Sequence, residues 1–167
     1  MHKAGFIAIV GKPNAGKSTL LNTLLGQDLS IVTHKAQTTR HRIRGVVSQP
    51  DYQLVFSDTP GIITPGYQLH QRMMTFVQSA FADADVVLLV YDALGNDMDA
   101  EKFKTLLPCD KKLVVALNKI DLSNQEELEN IVQKIEQQLN PDAIVPISAK
   151  EKFGGDVLIK TLLQFIP

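Results

Sequence analysis

The segment GKPNAGKST, residues 11–19, has the residue types and spacing of a loop that binds phosphate groups. It matches the pattern G-x-x-x-x-G-K-[ST], in which glycines let successive backbone N–H groups point at phosphate oxygens and the following helix adds its positive dipole end. Lys17 adds a full positive charge for the terminal phosphates, and Ser18 offers a hydroxyl ligand for Mg²⁺. An ordinary glycine turn is the alternative. The predicted phosphate-binding residues are Gly11, Lys12, Pro13, Asn14, Ala15, Gly16, Lys17, Ser18 and Thr19.

A second short motif, DTPG at residues 58–61, follows an apolar segment that we predict to be a strand. An aspartate at a strand end can hold Mg²⁺ through a water molecule, and the Gly61 N–H can meet a γ-phosphate. A D-x-x-G tetrapeptide is weak evidence alone, because it also occurs in turns, and its value comes from its place downstream of a phosphate-binding loop. The motif adds Asp58, Thr59, Pro60, Gly61 and Ile62 to the predicted nucleotide-binding residues.

Two later motifs, NKID at residues 118–121 and SAK at residues 148–150, concern the base of the nucleotide. The Asp121 carboxylate can accept hydrogen bonds from the N1–H and the 2-amino group of guanine, whereas adenine offers neither donor. An unpaired buried acceptor costs about 1–3 kcal/mol, so adenine is rejected. The Lys119 stem can lie over the base, the Asn118 side chain can join neighbouring loops, and the Ala149 N–H can meet the guanine O6. The predicted set is Asn118, Lys119, Ile120, Asp121, Ser148, Ala149 and Lys150.

Alternating strands and helices must position these motifs. The apolar segments GFIAIVG, YQLVFSD, ADVVLLVYDA, KKLVVALNKID and AIVPIS are predicted strands, and RIRGVVS is predicted to pair antiparallel with YQLVFSD. Strands so continuous in Val, Ile and Leu are typical of a mainly parallel sheet with helices on both faces. Ligands of such sheets bind beyond the carboxyl ends of the strands, which is where these motifs fall.

The helices are predicted from apolar stripes and end signals. The first begins at Lys17 and stops at Gly26. Ser123 and Glu126 form a predicted capping box for a later helix, which Pro141 closes. EKFKTLL is a further short helix. The predicted inward-facing stripes are Leu69, Met73, Phe76, Val77, Ala80 and Phe81; Leu128, Ile131, Val132, Ile135 and Leu139; and Val157, Leu158, Thr161, Leu162 and Phe165.

Composition limits the class of protein. A chain of 167 residues with 44% hydrophobic content fits one domain, residues 1–167. The formal net charge of −1 excludes a chain-wide electrostatic partner such as nucleic acid or an anionic membrane. The single cysteine cannot form an internal disulfide, and the sequence has no membrane-spanning segment or signal-peptide cleavage pattern. We expect a cytosolic monomer, with peripheral contact to the inner membrane left open.

In this order, the motifs GKPNAGKS, DTPG, NKID and SAK resemble those of the P-loop GTP-binding proteins over nearly the whole chain. The resemblance implies a three-layer α/β fold, Ras-like, with a mostly parallel six-stranded sheet that contains one antiparallel strand. It also implies a threonine in the first long loop that caps the γ-phosphate and binds Mg²⁺. We assign Thr39 in KAQTTRHRIRG to that role, with Thr38 as the alternative. The predicted metal ligands are then Ser18, Thr39 and Asp58.

Four segments further resemble the Era family of bacterial GTPases, which assist small-ribosomal-subunit assembly. They are KAQTTRHRIRG, AGFIAIVGKPN, DTPGI and ISAK. Full Era proteins carry a C-terminal KH domain that binds the end of 16S rRNA, and we expect this chain to lack it, because it stops at LLQFIP. The resemblance thus implies ribosome and rRNA contact mainly through that domain. We interpret a local cluster of basic residues as a solvated loop and strand edge, in preference to an RNA contact. The cluster consists of Lys35, Arg40, His41, Arg42 and Arg44.

Ile62 stands where many GTPases have the glutamine that orients the attacking water, so we expect slow unaided hydrolysis of GTP to GDP. Some GTPases that resemble this one hold K⁺ partly with an asparagine of the phosphate loop, the position of Asn14, and a turn-stabilising role for Asn14 is an equal alternative. The predicted catalytic residues are Asn14, Lys17, Thr39 and Gly61. Alternative functions are a GTP-gated binding module with negligible hydrolysis, another bacterial translation-factor-class GTPase, and an ATP-using P-loop kinase, which Asp121 disfavours.

Overall fold

The computed structural model describes residues 2–11, 16–25, 42–58, 81–94, 103–105, 107–108 and 110–167. The strands among these residues are β1 Lys3–Gly11, β2 Arg42–Gln49, β3 Tyr52–Asp58, β4 Val86–Asp92, β5 Lys112–Asn118 and β6 Ala143–Pro146. The longer helices are α1 Lys17–Leu25, α2 Gln125–Leu139 and α3 Gly155–Phe165, and a single 3₁₀ turn spans Ile120–Leu122. Residues 81–83 and 103–105 are also helical, within two predicted helices. The remaining stripe residues of the first of these, Leu69, Met73, Phe76, Val77 and Ala80, lie outside the described residues.

The six strands form one sheet in the order β2-β3-β1-β4-β5-β6. Only β2 runs antiparallel to its neighbour, β3, while the other neighbouring pairs are parallel. The predicted fold is therefore confirmed, including the single antiparallel strand. Parallel register brings the carboxyl ends of β1, β3, β4, β5 and β6 to one edge, where Asp58 pairs with Ile9 and Asn118 with Asp92.

The hydrophobic core lies in two layers, one on each face of the sheet. Alternate residues of β1 point to opposite faces, so Ile9 packs with Leu20 of α1 and Leu158 of α3, while Val10 packs on the other face with Ile135 of α2. On that second face the rings of the buried Phe81 and Phe103 meet edge to face, with centroids 6.1 Å apart. The described helices therefore cover both faces, which gives the expected three layers.

Helix α2 begins one residue later than the sequence predicts. Its capping box consists of Asn124 and Glu127, not Ser123 and Glu126: the Glu127 N–H donates to Asn124 Oδ1 at 2.8 Å, and the Asn124 N–H donates to Glu127 Oε2 at 3.4 Å. The reason is the preceding 3₁₀ turn, because the Ser123 N–H donates to Ile120 O at 3.2 Å and so closes that turn. The Ser123 N–H is therefore not available to a Glu126 side chain, as a capping box at Ser123 would require.

This one-residue shift predicts different effects on stability for two neighbouring substitutions. Asn124→Ala removes the cap and should lower the free energy of unfolding by about 1 kcal/mol. Ser123→Ala is the matched control and should change it little, because Ser123 Oγ is buried without a hydrogen-bond partner in the described structure. Urea unfolding followed by circular dichroism measures both. A larger loss in Ser123→Ala than in Asn124→Ala would contradict the observed box.

The inward stripe of α3 is narrower than predicted. Leu158 and Leu162 are fully buried, Thr161 and Phe165 are half-buried, and Val157 is 56% exposed, so its assignment to the core is wrong. The stripe is centred on the i, i+4 row that contains Leu158 and Leu162, and Val157 lies on the flank of this row in the first helical turn. The predicted stripe of α2 faces the core: Ile135 and Leu139 are buried, and Leu128, Ile131 and Val132 are half-buried and packed against it.

Candidate functional site

Residues of three of the four predicted motifs, all but DTPG, meet in a cleft of about 220 Å³ at the carboxyl edge of the sheet. Helix α1 supplies the phosphate-loop side, and the segments after β5 and β6 supply the other. Of the predicted nucleotide-binding residues, eight line this cleft: Gly16, Thr19, Asn118, Lys119, Asp121, Ser148, Ala149 and Lys150. Gly11 is buried at the end of β1, and Ile120 packs against the core. Leu122 also lines the cleft and was missed by sequence reasoning, although it directly follows NKID.

Asn118 joins the loops around the cleft, as its sequence position predicts. It ends β5 and is 2% exposed, and its Oδ1 accepts a hydrogen bond from the Ala149 N–H at 3.0 Å. On its other side, the Asn118 amide lies against Gly16, where a Cβ would overlap its Nδ2 atom. Gly16 also has φ of +95°, a conformation that favours glycine. One buried amide therefore fixes the spacing between the phosphate loop and the loop after β6.

The Ala149 N–H has a protein partner in this structure. The sequence assigns this donor to the guanine O6, and the observed acceptor is Asn118 Oδ1. The contact with guanine stays a prediction. The opposite group of the same residue, Ala149 O, lies 3.0 Å from Thr23 Oγ1 of α1.

Thr23 is a residue of the site that sequence reasoning missed. Its hydroxyl also lies 3.0 Å from Thr19 O, so one hydroxyl hydrogen is shared between two carbonyl oxygens. The first contact is the ordinary i−4 bond of a helical threonine, whereas the second joins α1 to a loop 126 residues away in sequence. The periodic pattern of α1 gives no sign of this contact, because it depends on where β6 ends.

Ser148 orients the carboxylate of Asp121. Ser148 is 2% exposed, and its Oγ donates to Asp121 Oδ1 at 2.8 Å. The Ser148 hydroxyl in turn accepts from the Glu151 N–H at 3.3 Å, and its backbone exchanges hydrogen bonds of 2.9 and 3.0 Å with Phe153. Asp121 itself is exposed, so its oriented carboxylate lines the cleft and is accessible from solvent.

Lys119 extends into the same cleft from an unusual backbone conformation, with φ of 67° and ψ of 33°. Its Nζ makes an ion pair with Asp92 Oδ2 at 2.9 Å. Asp92 ends β4 and was not among the predicted site residues. A signal was available in the sequence, since an aspartate directly after the buried run VVLLVY lies at the edge where ligands bind.

The structure describes only the backbone of five predicted residues. Lys17 and Ser18 begin α1, and Asp58 ends β3, as expected, but only their backbone is described; the same holds for Arg42 and Arg44 in β2. The predicted residues that lie outside the described ranges are Lys12, Pro13, Asn14, Ala15, Lys35, Thr38, Thr39, Arg40, His41, Thr59, Pro60, Gly61 and Ile62.

Metal-binding side-chain groups and membrane-spanning helices are both absent from the described residues. No group of three or more His, Cys, Asp or Glu side chains in those ranges is arranged to hold a metal ion. None of the helices there is long and apolar enough to cross a membrane. The absence of such a metal-binding group does not bear on the predicted Mg²⁺ ligands, because the Ser18 and Asp58 side chains and all of Thr39 are not described.

Comparison with protein families gives a match over most of the chain. A family model described as 50S ribosome-binding GTPase matches residues 6–119. The chain is 44% identical over 167 residues to GTPase Era of Bordetella avium, with 99% of the chain and 56% of that protein covered. It is 41% identical over 174 residues to the chloroplastic GTPase ERA-like protein of Oryza sativa subsp. japonica, with 99% and 40% covered. The chain thus spans about half the length of the curated relatives it matches.

Two crystal structures of Era proteins are similar to this chain in fold and sequence. A crystal structure of Era in complex with MgGDPNP and nucleotides 1506–1542 of 16S ribosomal RNA has a TM-score of 0.77 and 38% identity, and the match covers 100% of this chain and 58% of that one. A variant of Aquifex aeolicus Era bound to GDP·AlF4⁻ has a TM-score of 0.75 and 36% identity, with 99% and 57% covered. Both alignments extend over the strands and the cleft described above.

Proposed function

Because the chain belongs to the family of 50S ribosome-binding GTPases, we propose that it binds GTP with Mg²⁺ and hydrolyses it slowly to GDP and phosphate. The observation that carries this proposal is the Asp121 carboxylate, held by Ser148 in the cleft that Gly16 also lines. A fixed carboxylate matches the two adjacent donors of guanine and no edge of adenine. Gly16 and Thr19 of the phosphate-binding motif line the same cleft, so groups for the base and for the phosphates lie next to each other, as a guanine nucleotide requires.

The expected Mg²⁺ ligands suit that ion chemically. Ser18, Thr39 and Asp58 offer only hydroxyl and carboxylate oxygens, which are the ligands that Mg²⁺ prefers. Ser18 lies in the first turn of α1 and Asp58 pairs with Ile9 near the end of β1, so both backbones belong to the phosphate side of the site. Bound there, Mg²⁺ would neutralise charge on the β- and γ-phosphates.

Hydrolysis in this proposal depends on positioning and charge. Backbone N–H groups of the phosphate loop and the Lys17 ammonium bind the phosphates. The backbones of Thr39 and Gly61 contact the γ-phosphate, and these contacts order the two loops that contain them. Ile62 can neither accept from nor donate to water, so no side chain at that position orients the nucleophile. Slow turnover follows, and K⁺ near Asn14 is the proposed source of additional positive charge.

Similar proteins suggest where such a switch acts. The 16S ribosomal RNA complex was solved for Era, and the chain spans only part of that protein. We propose that this chain acts as a switch in small-ribosomal-subunit assembly. In this switch, GTP orders the loops around the γ-phosphate and GDP lets them relax. A GTP-gated binding module with negligible hydrolysis is the competing function.

A single-turnover phosphate-release assay separates the two. The purified chain with GTP and Mg²⁺ should release phosphate at a rate on the order of 10⁻³ s⁻¹ or below, and faster in KCl than in NaCl. Lys17→Ala should bind no nucleotide and gives the blank. GTP binding without phosphate release above that blank would favour the binding module.

The two salts also test the role of Asn14. Asn14→Ala should release phosphate at the same rate in KCl and NaCl while still binding GTP. Equal rates in the two salts for the unsubstituted chain would contradict the K⁺ site and leave the turn-stabilising role of Asn14.

A further inference from the structure

Asp92 lies beside the cleft without lining it. It is the last residue of β4, and in the parallel β4–β5 register its Cα is paired with that of Asn118. Its Oδ2 atom is 2.9 Å from Lys119 Nζ, and the two side chains are 15% and 31% exposed. Lys119 lines the cleft together with Asp121. The side-chain connection from Asp92 to a ligand in the cleft therefore runs through Lys119.

The Asp92 carboxylate is itself held in place. Its Oδ1 accepts the Leu94 N–H at 2.8 Å, which leaves Oδ2 for the lysine. The Ala93 N–H donates to Asn118 O at 3.0 Å, so the turn after β4 is tied to the end of β5. Each carboxylate oxygen has a separate partner, and the anion is a fixed point next to the base-binding motif.

A fixed anion at this point changes what Lys119 can do. A lysine stem has four rotatable methylene groups, and a free stem must be ordered when a ligand binds along it. Anchoring the ammonium at Asp92 orders the stem in advance. Most exposed ion pairs contribute little to stability, but this pair is partly buried, short and backed by a backbone hydrogen bond.

From this geometry we propose that Asp92 is a positioning residue for guanine-nucleotide binding: it anchors the Lys119 ammonium so that the lysine stem is ordered along the face of the base. The proposal rests on the proposed function. It deepens it by naming a determinant of nucleotide affinity that lies outside the four sequence motifs.

The test is the dissociation of fluorescent mant-GDP from the full chain with Mg²⁺. Asp92→Asn should dissociate the nucleotide about five to ten times faster, as expected when one lysine side chain must be ordered on binding instead of in advance. Asp92→Glu keeps the charge and should recover part of the difference. In a Lys119→Met background, Asp92→Asn should have no further effect, whereas a merely structural role would give the same effect with or without the lysine.

Asp142 provides a matched control. It also accepts a backbone N–H, that of Leu113 at 2.8 Å, and pairs with a lysine, Lys112, at 3.8 Å, but it precedes β6, at the opposite edge of the sheet. Asp142→Asn should leave dissociation unchanged. Additive effects of the Asp92 and Lys119 substitutions, or unchanged dissociation in Asp92→Asn, would overturn the inference. Failure of the unsubstituted chain to bind mant-GDP would instead overturn the proposed function.

Discussion

Asp121→Asn is expected to change the preferred base from guanine to xanthine. The substitution replaces an oriented carboxylate, which in the proposed complex accepts two hydrogen bonds from guanine, with an amide that can donate to the carbonyl at position 2 of xanthine. Each charge-assisted hydrogen bond contributes about 1.5–3 kcal/mol, so GTP affinity should fall by about 10²- to 10⁴-fold. Affinity for xanthosine triphosphate should rise. The Ser148 hydroxyl can donate to the amide oxygen, which keeps the new side chain in the same orientation.

Competition against mant-GDP with GTP, xanthosine triphosphate and ATP measures this change. Asp51→Asn, in the turn between β2 and β3 at the opposite edge of the sheet, is the control for loss of one surface carboxylate and should leave all three affinities unchanged. Retained guanine selectivity in Asp121→Asn would show that another residue reads the base.

The fold follows from the sequence because its strands are apolar on both faces. Runs such as FIAIV and VVLLVY have no polar side to expose, which requires a parallel sheet covered by helices. Element ends are harder to predict. Ser123 and Asn124 are both good helix caps, and the choice between them depended on a 3₁₀ turn formed by the residues after NKID.

The site was predictable where one contiguous motif supplies the groups. Contacts between motifs were not, because they depend on strand register: Asp92 meets Lys119 across the β4–β5 pair, and Thr23 meets Ala149 across 126 residues of sequence. The sequence around Asp92 and Thr23 contains no motif that marks either residue as part of the site. Only the relative position of strand ends makes them part of the site.

Gly16→Ala is expected to abolish tight nucleotide binding, for a reason that lies in the structure as well as in the motif. Gly16 has φ of +95°, which for a residue with a Cβ costs about 1–3 kcal/mol. The new methyl group would also overlap the buried Asn118 amide, which must then move and release the Ala149 N–H. An unpaired buried N–H costs about another 1–3 kcal/mol. Both costs lower the stability of the folded chain, and because a displaced Asn118 no longer joins the loops that line the cleft, nucleotide affinity should also fall, by about 100-fold.

Gly155→Ala is the matched control, because a Cβ on this helical glycine would meet only Leu24 Cδ2, at an ordinary 3.6 Å. Titration with mant-GDP and thermal unfolding without nucleotide should separate the two variants: Gly155→Ala binds like the unsubstituted chain, and Gly16→Ala loses both affinity and stability. The loss of stability without ligand is the decisive readout. A role for Gly16 in phosphate contact alone would reduce affinity and leave the nucleotide-free chain equally stable, whereas the observed φ and the contact with Asn118 together require that both fall.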